Sequence, residues 1–228
     1  MKHINIKQAF IPGISFNFLF HSINQIYRNK SPLRLIHNFF LKKISIKGKT
    51  IDLGAGNHRS YYNFLNKNKA NIVFSDLNNN NFLKLNLEKK LPIKSGSYDS
   101  VILFNVLEHI ENYDLLIKEI KRILKPKGIF QIFVPFYFRY HEDFKDIFRP
   151  THFFLENILK KKGFSVETKL ICVGPLINFC EMFSKYIKIR VLIFIFFWIC
   201  IFLDRIFKFF SKDFIVFYGG THCSCQKI

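Results

Sequence analysis

The segment Asp52-Leu53-Gly54-Ala55-Gly56 ends a short apolar run with a carboxylate and two glycines. Glycine has no Cβ, so such a turn can be tight and can bring the backbone close to a ligand. A dinucleotide-binding turn would place its third glycine at position 59, where Arg59 stands. An acidic residue at the turn instead suits a ligand that brings positive charge rather than a pyrophosphate. Asp76 ends the next apolar run, Ile72-Val73-Phe74-Ser75, at about the separation from the turn expected of a ribose-binding carboxylate. One carboxylate can accept from two ribose hydroxyls at once. His222-Cys223-Ser224-Cys225 also groups metal-ligating types. Cys-x-Cys is not the usual zinc spacing, however, and no second ligand pair accompanies it, so no metal site is expected.

These residues need a scaffold that gathers separate strand ends. Between 50 and 164, short apolar runs alternate with helical periodicity, the pattern of βαβ units. Strands are predicted at 50–53, 71–75, 84–87, 98–104, 129–135, 166–173 and 214–225, and helices at 15–27, 32–44, 58–66, 113–124 and 151–162. The expected fold is therefore α/β and doubly wound, with a mostly parallel seven-stranded, Rossmann-like sheet and ligands at the carboxyl ends of its strands. The chain divides into an N-terminal helical cap at 1–48, a core at 49–173, an apolar helical insertion at 174–212 and a final core strand at 213–228.

Further residues align with a known pattern. Leu91-Pro92-Ile93, then Tyr98-Asp99 opening a strand that runs into Val106-Leu107-Glu108-His109, and then Lys125-Pro126-Lys127-Gly128 follow the turn and Asp76 in order. In this the chain resembles class I S-adenosylmethionine-dependent methyltransferases, and within them the type 11 group. The resemblance spans about 50–166, with Lys127 where the family has glycine. It implies S-adenosyl-L-methionine as cofactor. It assigns Gly54 and Gly56 to the methionine end of that donor, Asp52 to its amino group directly or through water, and Asp76 to its ribose. Asn86 stands near where many members place an acidic residue facing the adenine, and Asn105 would use its backbone near the sulfonium. Glu108 and His109 either order the turn after the fourth strand or touch the site. The segment from His141 through Asp146, Arg149, Pro150 and Thr151 resembles bacterial members linked with surface polysaccharide or glycolipid pathways. It follows the fifth strand and should overhang the open end of the sheet. His141, Asp146 and Arg149 are therefore candidate acceptor contacts, with a loop-ordering ion pair or a helix cap by Thr151 as the alternative. If the acceptor is a hydroxyl, His141 could serve as its base.

The acceptor expected from the resemblance is a small molecule, a sugar or a lipid-linked glycan. A membrane-associated quinone or lipid methyltransferase and a non-catalytic binding protein on the same fold remain as alternatives. The net charge of +19 invites polyanions, but Lys, Ile, Asn and Phe are over-used together along the whole chain, as in a coding bias. No basic stretch is organised as a recognition helix, and Asn105-Val106-Leu107-Glu108 lacks the Pro-Pro-aromatic pattern of DNA amino methyltransferases, so nucleic acid is disfavoured. Five cysteines, an odd number without regular spacing, and no signal peptide at Met1-Lys2-His3 suit a reducing cytoplasm. The run 191–203 is shorter than the roughly 20 residues a bilayer crossing takes. If 214–225 returns to the sheet, a single crossing is excluded as well. A core helix, a dipped hairpin or an interfacial helix remains, so peripheral contact of 188–210 with the inner face of a membrane is retained.

Overall fold

A computed structural model describes residues 6–56, 60–67, 70–140, 145–211 and 216–228. Seven strands form one sheet: β1 (Lys49–Leu53), β2 (Asn71–Asp76), β3 (Leu83–Lys84), β4 (Tyr98–Phe104), β5 (Leu124–Pro135), β6 (Phe164–Val173) and β7 (Tyr218–Lys227), ordered β3-β2-β1-β4-β5-β7-β6. The first five are parallel, with Asp52 opposite Phe74 on one side and Ile102 on the other. β7 runs against them. Along it Gln226 reaches Lys127, His222 meets Gln131 and Gly219 accepts from Phe136, so one index rises as the other falls. The sheet is thus mixed through this strand, with the expected parallel majority. Strand order reverses between β1 and β4, which leaves a crevice at their carboxyl ends.

The chain forms two compact units. One comprises 43–135, 140–168 and 221–228. Its core is built on β1, β4 and β5, where Ile51, Leu53, Val101, Leu103 and Phe130 are buried. Parallel strands covered on both faces read as continuous apolar runs, which is why these were legible. Two helices belong to this unit, α3 (Tyr113–Ile123) and α4 (His152–Lys161). Asn112 caps α3 by accepting from Leu115, and Thr151 caps α4 by accepting from Phe154.

The other unit comprises 1–42, 136–139 and 169–220. It holds α1 (Phe16–Tyr27), α2 (Pro32–Leu41), α5 (Pro175–Phe183) and α6 (Arg190–Phe210). Ser15 and Ser31 cap α1 and α2 through the amides of Phe18 and Arg34. Two buried carboxylates stitch these helices together. Glu181 of α5 accepts from the Leu33 amide at the start of α2 at 2.6 Å. Asp204 of α6 accepts from Leu176 and Ile177 at the start of α5, at 3.0 and 2.7 Å. Both satisfy amides that a helix start leaves without partners. Gly174, at φ 134°, precedes α5, and a Cβ there would run into the Asp204 carboxylate.

Several boundaries differ from the sequence reading. The helix expected over 58–66 is a single 3₁₀ turn at Ser60–Asn63, with 58 and 59 outside the described residues. Asn66 is drawn into a bridge with Ser45 and exchanges backbone hydrogen bonds with Ile44 and Ile46. The same bridge ends α2 at Leu41 rather than at 44. The strand expected at 84–87 shortens to Leu83–Lys84, because the Asn86 side chain turns the chain by accepting from Glu88. Directly after Gly174, Pro175 opens α5 at the helical position that needs no N–H.

Burial pushes the Asp204 carboxyl up to about 6, against the two amides that favour its charge. The folded state therefore holds this proton more tightly than the unfolded chain does. Its stabilising contribution is complete below about pH 4 and is lost as pH rises through about 6. Asp204→Asn should flatten this fall, on the order of 1–2 kcal/mol, in urea midpoints measured from pH 4 to 7. An unchanged pH profile would exclude Asp204 as its source.

Candidate functional site

Gly54 and Gly56 both lie in the left-handed region, at φ 70° and 59°. They are glycines for different reasons. A Cβ at Gly54 would stand 2.7 Å from a Val106 methyl, so that position packs backbone against the end of β4. A Cβ at Gly56 would meet nothing within 4 Å among the described residues, so that position faces open space there. The Ala55 amide donates to the Ser75 carbonyl at 2.9 Å, and the Gly56 amide donates to Asp76 Oδ2 at 3.0 Å. Asp76 Oδ1 accepts from the amides of Asn78 and Asn79 at 2.9 and 3.1 Å. Three backbone donors thus hold one carboxylate at the rim of the glycine turn. Oδ1 has both lone pairs engaged and Oδ2 one of its two, which leaves capacity on Oδ2 for a ligand hydroxyl.

Asp52 is buried below this rim, 1% exposed. Its Oδ2 accepts from the Tyr61 hydroxyl at 2.6 Å, and the Ser75 hydroxyl donates to its carbonyl at 3.0 Å. Tyr61 packs edge-on to Phe104, ring centroids 5.3 Å apart. Sequence reasoning missed Tyr61. The usable signal was an aromatic with a hydroxyl on the connection just after the turn. Asn105 follows Phe104 with φ 57°, a left-handed conformation that costs a non-glycine residue energy. Its amide donates to Phe133 O at 2.9 Å, and its buried Oδ1 has no hydrogen-bond partner among the described residues. The structure thus brings Gly54, Gly56, Asp76 and Asn105 to one edge of the sheet, with Asp52 beneath them.

Asn86 is used locally, since its Oδ1 accepts from the Glu88 amide at 2.9 Å. Glu88 in turn accepts from the amides of Glu111 and Asn112 at 2.8 and 3.0 Å, which fixes the entry to α3. Glu108 and His109 lie on a 3₁₀ turn, Leu107–His109. His109 Nδ1 lies 2.9 Å from the Lys145 carbonyl, and the Glu108 carbonyl accepts from Ile147 at 2.9 Å. Both residues therefore order the segment after β5. Asp146 and Arg149 form a two-pronged ion pair with each other, Arg149 Nε lying 2.9 Å from Asp146 Oδ1. His141 lies outside the described residues.

His222 and Cys223 point to opposite faces of β7. The His222 ring Nε2 lies 2.9 Å from Gln131 Oε1 and the ring 5.6 Å from that of Phe104, while Cys223 lies near Thr168. Burial pushes His222 down to about 3, so it is neutral at ordinary pH. Among the described residues no group of three or more His, Cys, Asp or Glu is placed to hold a metal ion.

A family model described as a methyltransferase domain matches residues 51–132. An uncharacterized protein of Methanocaldococcus jannaschii is 35% identical over 101 residues, covering 40% of this chain and 43% of the relative. The match thus spans less than half the length of that relative. Among solved structures, the [4+2]-cyclase SpnF superposes with a TM-score of 0.57 at 13% identity, over 85% of this chain and 82% of the other. The methyltransferase solved with the Haloferax volcanii Trm112 activator gives 0.54 at 15%, over 94% and 99%. Phosphoethanolamine N-methyltransferase 2 of Haemonchus contortus, solved with S-adenosyl-L-methionine, gives 0.52 at 16%, over 92% and 56%. Likeness at these identities is likeness of fold.

The two glycines should respond differently to alanine. Gly54→Ala combines left-handed strain with the Val106 overlap and should cost about 2–3 kcal/mol in denaturant midpoints. Gly56→Ala carries the strain alone and should cost about 1 kcal/mol. Equal losses would contradict the open space at Gly56.

Proposed function

We propose that the chain is a class I S-adenosylmethionine-dependent methyltransferase, as its match to a methyltransferase-domain model supports, and that it methylates a small molecule, a sugar or a lipid-linked glycan. One observation carries the reading. The Gly56 amide and the Asp76 carboxylate, bonded at 3.0 Å, border open space on the strand edge where Asn105 holds a strained backbone and a buried, unpartnered oxygen. These features fit a nucleoside with an amino acid end. Asp76 would accept from a ribose hydroxyl, and the backbone at Gly54 and Gly56 would lie along the methionine end. Asp52, whose Oδ2 holds Tyr61, would supply the negative charge facing the ammonium, directly or through water. Asn105 would take a donor through its Oδ1. Asn86 Oδ1 already accepts from the Glu88 amide, which leaves its N–H groups and one oxygen lone pair for an adenine.

When bound, S-adenosyl-L-methionine supplies a methyl group on a cationic sulfonium that is already a good leaving group. The chain's own contribution is then chiefly to hold donor and acceptor in line. His141, Asp146 and Arg149 would meet the acceptor. They follow β5, which is parallel to β4 and opens onto the same edge as Asn105. The Asp146–Arg149 pair fixes the guanidinium, which would then meet acceptor oxygens, and His141 would take the proton of an acceptor hydroxyl. Five free, buried cysteines support work in a reducing compartment. A second reading places the acceptor at a membrane surface. It is favoured by the outer face of α6, where Ile199 and Phe202 are half exposed.

Calorimetric titration with S-adenosyl-L-methionine tests the donor site. The folded wild type should bind, and Asp76→Ala should weaken binding at least ~10-fold through a lost hydroxyl acceptor. No heat from the folded wild type would overturn the assignment. With an acceptor that supports turnover, His141→Ala should lower the rate at saturation about 100-fold or more. Full turnover in that variant would remove the base role.

A further inference from the structure

We propose that the outer face of α6, together with the edge of α5, docks on an anionic lipid surface with α6 lying in the plane of the headgroups. Over Arg190–Phe210 the helix has only four charged residues, Arg190, Asp204, Arg205 and Lys208. Asp204 is turned inward to cap α5. The buried stripe is Phe197, Cys200, Ile201 and Asp204, at helical spacing. On a helix at a water-facing surface the opposite stripe is polar. On α6 that stripe is Leu192, Ile195, Ile199, Phe202, Ile206 and Phe210, exposed by 50%, 48%, 50%, 57%, 39% and 82%.

The patch extends beyond one helix. Phe179 of α5 meets Phe196 of α6 edge to face, with centroids 6.1 Å apart, and lies tilted against Phe183 at 4.3 Å; both α5 rings are exposed. On the other flank Trp198 is tied to α1, its indole donating to Ser22 at 3.1 Å, so the tryptophan lies beside the patch and not on it. A contiguous apolar face of this extent marks an interaction site.

Charge identifies the occupant. Lys185, Lys188 and Arg190 are exposed at one end of α6 and Lys208 near the other, and the sole acidic residue among 184–211 is the buried Asp204. A second copy would bring the same basic rim and the same net +19 against it. Anionic headgroups would be attracted to that rim while their chains cover the apolar stripe. No helix of the described residues is long and apolar enough to cross a membrane, and an apolar stripe exposed along α6 from Leu192 to Phe210 fits the in-plane arrangement. This deepens the second functional reading above and is independent of donor binding.

The test is co-sedimentation of the full chain with phosphatidylcholine vesicles, with and without phosphatidylglycerol. The wild type should pellet with the anionic vesicles and be released by high salt. Ile199→Glu combined with Phe202→Glu, both on the exposed face, should weaken binding at least ~10-fold without lowering the unfolding midpoint. Lys188→Gln with Lys208→Gln should weaken binding to anionic vesicles more than to neutral ones. Undiminished binding by the double glutamate variant, or no binding by the wild type at low salt, would overturn the proposal. So would a wild-type dimer that the glutamates disperse and that ignores vesicles, since a second copy would then be the occupant. Titrating the glutamate variant with S-adenosyl-L-methionine keeps the two readings apart, because it should lose the vesicles and keep the donor.

Discussion

The hydrogen bond from the Gly56 amide to the Asp76 carboxylate joins the connections that leave two neighbouring parallel strands. Register makes it geometrically available: Leu53 lies opposite Ser75, so the glycine turn and the acid emerge from the sheet side by side. The left-handed backbone at Gly56 aims its amide across that gap, and the two amides after Asp76 complete the carboxylate's orientation. A carboxylate held by backbone donors keeps its position without help from a ligand, so binding has little reorganisation to overcome. The rest of the site follows. Val106 can press on the turn because Gly54 has no side chain, and that contact sets where β4 releases Asn105 into its strained conformation.

The helical unit is organised by a different constraint. Helix starts leave amides without partners, and here buried carboxylates from other helices meet them: Glu181 of α5 for α2 and Asp204 of α6 for α5. Burial raises the pKa of both acids. Each bond sets the rotation of the helix that donates the carboxylate, since the acid must point at the neighbouring helix start. For α6, directing Asp204 inward directs Ile199, Phe202 and Ile206 outward. The exposed apolar stripe is therefore a consequence of a specified rotation.

Legibility in the sequence followed burial. β4 was read to its exact ends, because a strand covered on both faces has an apolar run as long as itself. The ends of α3 and α4 were close for a related reason, since Asn112, Thr151 and Gly163 act locally as caps and stops. Elements whose limits depend on distant partners were not legible. The 3₁₀ turn at Ser60–Asn63 is short because Asn66 pairs with Ser45, and α5 starts at Pro175 because Asp204 arrives to meet the amide of Ile177 from 27 residues further along the chain. The candidate site divides in the same way. Its glycines and acids stand in a readable order, whereas the Tyr61 hydroxyl on Asp52 and the Asp146–Arg149 pair exist only in three dimensions.

Composition also gains meaning from position. A coding bias toward Lys, Ile and Phe acts on every helix of the chain alike. On α3 the buried stripe holds Leu116, Ile117 and Ile120, and the water-facing side carries Asp114 and Lys118, ion-paired at 2.7 Å. That helix shows what the bias yields where a surface meets water. α6 was built under the same bias, yet its outward side keeps Leu192, Ile195, Ile199 and Phe202 and confines its exposed cations to its ends. Bias supplies the residue types and does not sort them by face. The two outer faces therefore differ in how the same residue types are sorted.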